Sequence, residues 1–317
     1  MQTIMFGNGL NRLSGPQFSW ESLLSNIFGE KTVDGVPMTI LYELGLLSIP
    51  YFEDDGQLNA LDGILKDRNG VRLQCMKSDT EQDLKIEVAK KMNSLKINDA
   101  FYSLLNMPVD HYISTNFDKA FLGDLEIKSS LIADQERIYS FFRHYSCSFN
   151  TRSFIYWPIH GCIDAPQSIM LSYEQYCKSI MGIDSYLIGR LKASQRKGIK
   201  SIEKRLIEGF QRIESWIDLF FVSDIHIIGF GMSFDELDIW KLLTYRKRLI
   251  WKDHCEINNR IYFYQIGEIG TKEKAIIEAL KRLEVTIEFL PISIDNKDYP
   301  GSYYLQFNKM RDNISNS

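Results

Sequence analysis

The chain has 317 residues, 44% of them hydrophobic and 25% charged, the proportions of an ordinary globular protein, which exclude a disordered or fibrous chain. Its 37 basic and 41 acidic residues leave a net charge of -4, so no global field draws it to nucleic acid or to an acidic membrane. Five cysteines, at 75, 147, 162, 177 and 255, are odd in number and nowhere closely paired, which fits free thiols in a reducing compartment and provides no zinc ribbon.

The length suits one large α/β domain or two small ones. The start, MQTIMFGNG, carries neither a basic leader nor a cleavable apolar region, and no uncharged apolar run nears the ~20 residues of a spanning helix. A cytoplasmic protein with no membrane partner is expected.

In chain order, Thr3 to Phe6 reads as a strand that feeds a glycine turn and then a polar segment leading to Trp20 and Leu23. Residues from about 32 to 106 fit strand–helix repetition poorly and read as a mainly helical insertion able to cap a cleft. Within it, Asp83 to Leu105 places Leu84, Val88, Ala89, Met92, Leu95, Ala100 and Leu104 at a helical spacing. Strand-length β-rich runs follow at His111 to Thr115 and Ser153 to Ile159. A helical segment over about 173–222 is expected to break near Gly182 and Gly198. Its Lys/Arg-rich stretch, Arg190 to Arg212, interleaves apolar residues and reads as a solvated helix face.

Three further strands, Ile225 to Gly229, Arg260 to Ile266 and Val285 to Pro291, alternate with helices at Glu236 to Leu249 and Lys272 to Leu283. Such alternation predicts an α/β fold, a parallel sheet flanked by helices on both faces. The domain is expected to span 1–295, leaving 296–317 as a polar tail that frays.

Four short stretches lie at or just after predicted strands, where open α/β sheets place their ligands. Gly7-Asn8-Gly9-Leu10-Asn11-Arg12 could bring its backbone close to a pyrophosphate with Arg12 as anion partner, but the third glycine of the dinucleotide fingerprint is missing, and taken singly it reads first as a tight turn. Ser114-Thr115-Asn116-Phe117-Asp118 offers polar groups at a strand end, and either Asn116 or Asp118 reads equally as the N-cap of Lys119 to Leu122. In Trp157-Pro158-Ile159-His160-Gly161 a strand end presents one of five histidines beside a glycine, an arrangement that leaves room for a ligand. Ile228-Gly229-Phe230-Gly231-Met232-Ser233-Phe234-Asp235 suits a loop that hydrogen-bonds sugar hydroxyls or phosphate, or simply one that caps the next helix.

The order of these stretches resembles the sirtuin superfamily, and in particular the sirtuin-like NAD-hydrolysing effectors of bacterial antiphage defence, of which the Thoeris type is an example. The similarity runs from Ile4 to about Asp238: GNGLNR stands where sirtuins have a GAG-type loop, STNFD resembles their T-x-N-x-D motif, and IHG and GFGMSFD follow. LSYEQY, Leu171 to Tyr176, is similar to a stretch after the His-Gly pair in that branch. Asn8 departs from the usual small residue of the first loop.

The resemblance implies a Rossmann-like sheet and NAD as substrate, cleaved to nicotinamide and ADP-ribose. It implies that Asn116 orients the ribose or the attacking water, that Asp118 contacts the nicotinamide amide and that His160 is the general base. Gly7, Asn8, Gly9 and Arg12 would line the pyrophosphate, Thr115 and Gly229 the nucleotide, and Gly231, Ser233 and Asp235 the adenosine. No metal is expected. Sirtuin deacylases use the same Asn and His but carry a four-cysteine zinc module, which this chain lacks the paired cysteines to build. A nucleotide-sensing module would need the glycine loops but neither Asn116 nor His160, and an ADP-ribosyl transferase would share the site. Because unregulated NAD hydrolysis would poison the cell, the resemblance also implies control by homo-oligomerisation or by a separate activating partner.

Overall fold

A computed structural model describes residues 1–15, 37, 39–43, 80–123, 125–131, 139–252, 255–267, 270–290 and 299–316. Trp20, Leu23, Cys75 and most of the expected insertion at 32–106 lie outside the described residues.

Eight strands form one sheet among the described residues: β1 Gln2–Phe6, β2 His111–Ser114, β3 Glu126–Leu131, β4 His144–Phe149, β5 Arg152–Pro158, β6 Asp224–Ile228, β7 Ile261–Ile266 and β8 Val285–Leu290. Their spatial order is β3-β4-β5-β2-β1-β6-β7-β8. The six strands from β5 through β8 in that order pair in parallel. Numbered along the chain, these six lie 3-2-1-4-5-6, the doubly wound order of dinucleotide-binding sheets. From β1 the chain works outward through β2 and β5, then returns to the other side of β1 to build β6, β7 and β8. The order therefore reverses between β1 and β6, and a crevice opens at the carboxyl ends of those strands.

β3 and β4 add an antiparallel edge to β5 that the sequence reading did not foresee. Their sequences, EIKSSL and HYSCSF, are short and largely polar, without the apolar run that marks a strand buried on both faces.

Side-chain alternation along the parallel strands divides the core in two. Ile4, Phe6, Tyr112, Tyr156 and Ile228 point to one face, where they meet α1 (Thr80–Met92), α2 (Asp99–Leu105) and α9 (Tyr299–Ser315). Met5, Ile113, Trp157, Ile225 and Ile227 point to the other, against α3 (Tyr173–Leu187), α6 (Trp216–Val222), α7 (Leu237–Lys252) and α8 (Thr271–Arg282). The short helices α4 (Lys192–Arg196) and α5 (Ile202–Ile207) complete the second layer. The fold is thus an α/β, Rossmann-like sheet with helices on both faces.

Three local expectations need correction. Gly182 does not interrupt α3: a Cβ there would come 2.7 Å from the Phe141 ring, so this glycine admits a neighbour. The helix ends instead before Gly189, whose φ of +73° is a left-handed conformation that glycine adopts without strain. The stretch from Asp83 to Leu105 is two helices, because Asn98 caps α2 by accepting from the Phe101 N–H. The C-terminal segment is not a fraying tail, for Tyr303, Phe307, Met310 and Ile314 are buried along one face of α9. Gln306 Nε2 donates to the carbonyls of Gln265 and Glu288 at 3.0 and 3.2 Å, tying α9 to the β7–β8 edge. Among the described residues no helix is long and apolar enough to cross a membrane.

Candidate functional site

All four predicted stretches lie at the carboxyl end of the sheet. Phe6, Ser114, Pro158 and Ile228 are register partners across neighbouring strands, so the residues that follow each emerge side by side. The two glycine loops at the reversal point press directly on one another. The Gly9 N–H donates to the Gly229 carbonyl at 2.8 Å, and a Cβ at Gly9 would lie 2.7 Å from that oxygen and 2.8 Å from the Tyr303 hydroxyl. A Cβ at Gly7 would lie 2.6 Å from the Phe230 ring. Glycine at these positions thus serves the close approach of two loops and of α9, and the Gly9 N–H is engaged within the protein.

The first loop is also tied to the second stretch. Asn11, fully buried, donates through Nδ2 to Asn8 Oδ1 at 3.1 Å and to Asp118 Oδ2 at 2.6 Å. Asp118 Oδ1 accepts from the Ala120 N–H at 2.9 Å, at the start of the short 3-10 turn Ala120–Leu122, whose N-cap position is Lys119 and carries no side-chain cap. Neither Asn116 nor Asp118 is the N-cap expected from the sequence, because the turn begins one residue later than Lys119; the Asp118 carboxylate instead bridges that turn and Asn11 of the first loop. Burial raises its pKa against the pull of these hydrogen bonds. Thr115 continues the ladder, its N–H donating to the Phe6 carbonyl at 3.3 Å. Asn116 is buried, its N–H donates to Ser114 Oγ at 3.1 Å, and its side-chain Nδ2 has no hydrogen-bond partner. An amide so placed lacks what most buried polar groups have, and a ligand could supply it.

His160 is only 2% exposed. Gly161 beside it has φ +106°, and a Cβ there would strike the Ser168 carbonyl, so only glycine lets the 166–170 turn fold back under the histidine. His160 Nε2 lies 2.7 Å from Asp238 Oδ2, and Nδ1 lies 3.2 Å from the Tyr176 hydroxyl, whose ring meets the imidazole edge to face. Burial disfavours the imidazolium, but the charge and hydrogen bond of Asp238, helped by Glu236, prevail and hold the His160 pKa above its ordinary value. Burial, with Glu236, Asp238 and Asp235 nearby, pushes the Tyr176 phenol well up, so it is a neutral donor.

Asp238 and Tyr176 are functional candidates that sequence reasoning missed, as is Asn11. Asp238 sits in the first turn of α7 and is fully buried. Tyr176 is set by the N-terminus of α3, where Ser172 and Gln175 form a capping box. Signals existed: the run Asp235-Glu236-Leu237-Asp238 puts three acids at a strand–helix junction, and Tyr176 closes the LSYEQY stretch.

The remaining predicted residues lie farther out. Ser233 Oγ donates to Asp235 Oδ2 at 3.0 Å, a local turn that leaves His160 to Asp238 and not to Asp235. Both are half-buried, Gly231 is exposed with open space around it, and Arg12 is exposed. Glu236 is half-buried, with a buried Oε2 that has no hydrogen-bond partner. Its pKa is pushed up to about 7 by burial, with His160 opposing and Asp238 and Asp235 reinforcing. His160, Glu236 and Asp238 bring one donor atom each within 4.8 Å of one another, a set able to hold a metal ion.

A separate cleft of about 320 Å³ is lined by Lys197, Lys200, Arg205, Glu208, Arg212 and Glu214. Three of its cations are paired, Lys200 with Glu208, Arg205 with Asp218 and Arg212 with Glu214, while Lys197 lies over the Phe142 ring. Much of the positive charge around this cleft is therefore offset by neighbouring carboxylates.

Fold and site together define an α/β protein of the doubly wound class with a buried histidine–carboxylate pair at its topological switch point. No protein-family model and no curated protein matches the chain.

Proposed function

We propose that the protein is an NAD+ hydrolase of sirtuin-like type, cleaving the nicotinamide–ribose bond in the crevice above β1 and β6. The observation that carries this reading is the convergence, at the ends of neighbouring strands, of two interlocked glycine loops, a buried Asn116 amide without a partner and a buried His160 held by Asp238. The strand order supports it, because the 3-2-1-4-5-6 reversal is where such sheets take dinucleotides.

Loss of nicotinamide leaves a ribose with oxocarbenium-like character, so catalysis gains from placing water at that carbon and taking its proton. Asn116 supplies the missing hydrogen bond to a ribose hydroxyl or the water. Nε2 of His160 donates to Asp238, which leaves Nδ1 as the basic nitrogen. The Tyr176 hydroxyl donates to Nδ1, so it passes its proton there while accepting one from the water. The acidic group Asp118 braces Asn11 and hence the first loop, with the nicotinamide amide as the ligand group it faces. Arg12 and the exposed Gly231 loop are the open flanks for phosphate and adenosine.

On this reading the protein works in the cytoplasm as an antiphage effector that depletes NAD, restrained by its assembly state or by an activating partner. Nicotinamide and ADP-ribose release, followed by chromatography, tests it directly. Release by wild type and its loss by a factor of about a hundred to ten thousand in Asn116→Ala and His160→Ala is expected. Equal release by all three would refute the site, and full activity in an isolated monomer would refute the restraint.

A further inference from the structure

The His160, Glu236 and Asp238 cluster has a property that hydrolysis does not use. Two carboxylates and an imidazole converge from different parts of the chain, with donor atoms within 4.8 Å of one another, and Glu236 Oε2 is buried there without a hydrogen-bond partner. A buried carboxylate oxygen beside a second carboxylate is costly unless a positive charge or a donor joins them. Nitrogen and oxygen ligands in this ratio suit a borderline divalent ion such as zinc better than magnesium or calcium, which favour oxygen alone.

We infer that His160, Glu236 and Asp238 form a binding site for a divalent transition-metal ion of the zinc type. Nε2 of His160 and one oxygen of each carboxylate are the three protein ligands, and the fourth position stays open to water. Tetrahedral ligands about 2.1 Å from zinc lie roughly 3.4 Å apart. Nε2 and Asp238 Oδ2 are closer than that, at 2.7 Å, so an ion must replace their hydrogen bond and spread them by roughly 0.7 Å, while Glu236, the least buried of the three, is free to adjust around it. The outer shell is in place as well. When Nε2 takes the metal its proton leaves and Nδ1 is protonated instead, donating to the Tyr176 oxygen that now lies 3.2 Å away. If the hydrolase reading holds, the ion removes the basic Nδ1 and zinc inhibits the reaction; the site itself does not depend on that reading.

The test uses the full chain, freed of metal with a chelator and titrated with Co2+, whose absorption separates nitrogen and oxygen ligation from thiolate ligation. One bound Co2+ without thiolate charge-transfer bands, displaced by stoichiometric Zn2+ and not by Mg2+, is expected. Glu236→Gln and Asp238→Asn should each weaken it by at least the roughly tenfold to hundredfold that loss of an outer-shell partner brings. Glu236→Gln is the decisive variant, because its Oε2 makes no bond on which the fold depends, and circular dichroism checks that it folds. No retained Co2+, thiolate bands alone, or binding unchanged in both variants would overturn the site. All these readouts are independent of NAD turnover, so failure of the hydrolase would leave them standing.

Discussion

His160 is held by its neighbours at both ring nitrogens. Asp238 fixes the tautomer by accepting from Nε2 at 2.7 Å, and Tyr176 meets the other nitrogen at 3.2 Å. Asp238→Asn removes the negative charge while keeping the shape, so the histidine loses the interaction that sustains its basicity. NAD turnover should fall by about a hundredfold or more, with substrate binding little changed, measured as kcat against KM. Tyr176→Phe keeps the ring and deletes the hydroxyl, and a smaller fall in kcat is expected if that hydroxyl carries the proton. Undiminished turnover in Tyr176→Phe would place the proton path elsewhere. That His160 stands at the crevice was legible from a strand end next to a glycine; which residues hold it was not, since Asp238 is 78 positions away.

At the scale of elements, the glycine loops and α9 form one interlocked unit. Gly9→Ala would set a methyl group 2.7 Å from the Gly229 carbonyl and 2.8 Å from the Tyr303 hydroxyl. Overpacking of this kind costs about 1–3 kcal/mol, and it should both lower the urea midpoint and widen the crevice mouth, seen as weakened NAD binding. Unchanged stability would mean that the loops yield without cost. The C-terminal helix is part of the same wall: Phe307 is 1% exposed in the core with Met310 and Tyr303, and Phe307→Ala should destabilise the protein by about 3–5 kcal/mol. A frayed tail would register no such loss. The polar end of the sequence suggested fraying because the buried apolar residues of α9, Tyr303, Phe307, Met310 and Ile314, recur only every third or fourth position, and its partners come from strands far away in the chain.

For the whole molecule, two buried histidines couple stability to pH. Burial drives His226 down to about 4, with Asp224 opposing; its nitrogens meet the Tyr264 hydroxyl at 2.9 Å and Gln2 Oε1 at 3.0 Å, satisfying the neutral ring. Burial likewise lowers His111 to about 4, with Asp110 opposing and His144 and the N-terminus reinforcing, and Trp157 Nε1 donates to its Nδ1 at 3.2 Å. In the unfolded chain both titrate near about 6.5, so between the two values the unfolded state binds more protons. Stability therefore falls as pH drops through this window, by up to about 3 kcal/mol for each histidine. Glu236, whose pKa burial pushes up to about 7, and His160, also raised, shift stability in the opposite sense over part of this range. The contribution of the two rings is therefore read as the difference in urea midpoint between wild type and the double variant His111→Gln/His226→Gln at pH 7, 6, 5 and 4. That difference should narrow as pH falls, and a constant difference would refute the burial of both rings in neutral form.

The local and periodic features of this protein were legible in the order of its residues. Strands β1, β2 and β5 to β8 could be read from short apolar runs, α7 and α8 from helical spacing, and the crevice from glycine and polar residues placed just after strands. These signals survive because each depends on neighbours in the chain. The tertiary structure alone decided the strand order, the β3–β4 edge, the docking of α9, the bond from Asn11 to Asp118 across 107 residues and the choice of Asp238 over Asp235 for His160. A residue type tells what bond it needs. Its partner is chosen only when strands far apart in the chain become neighbours and their carboxyl ends share one crevice.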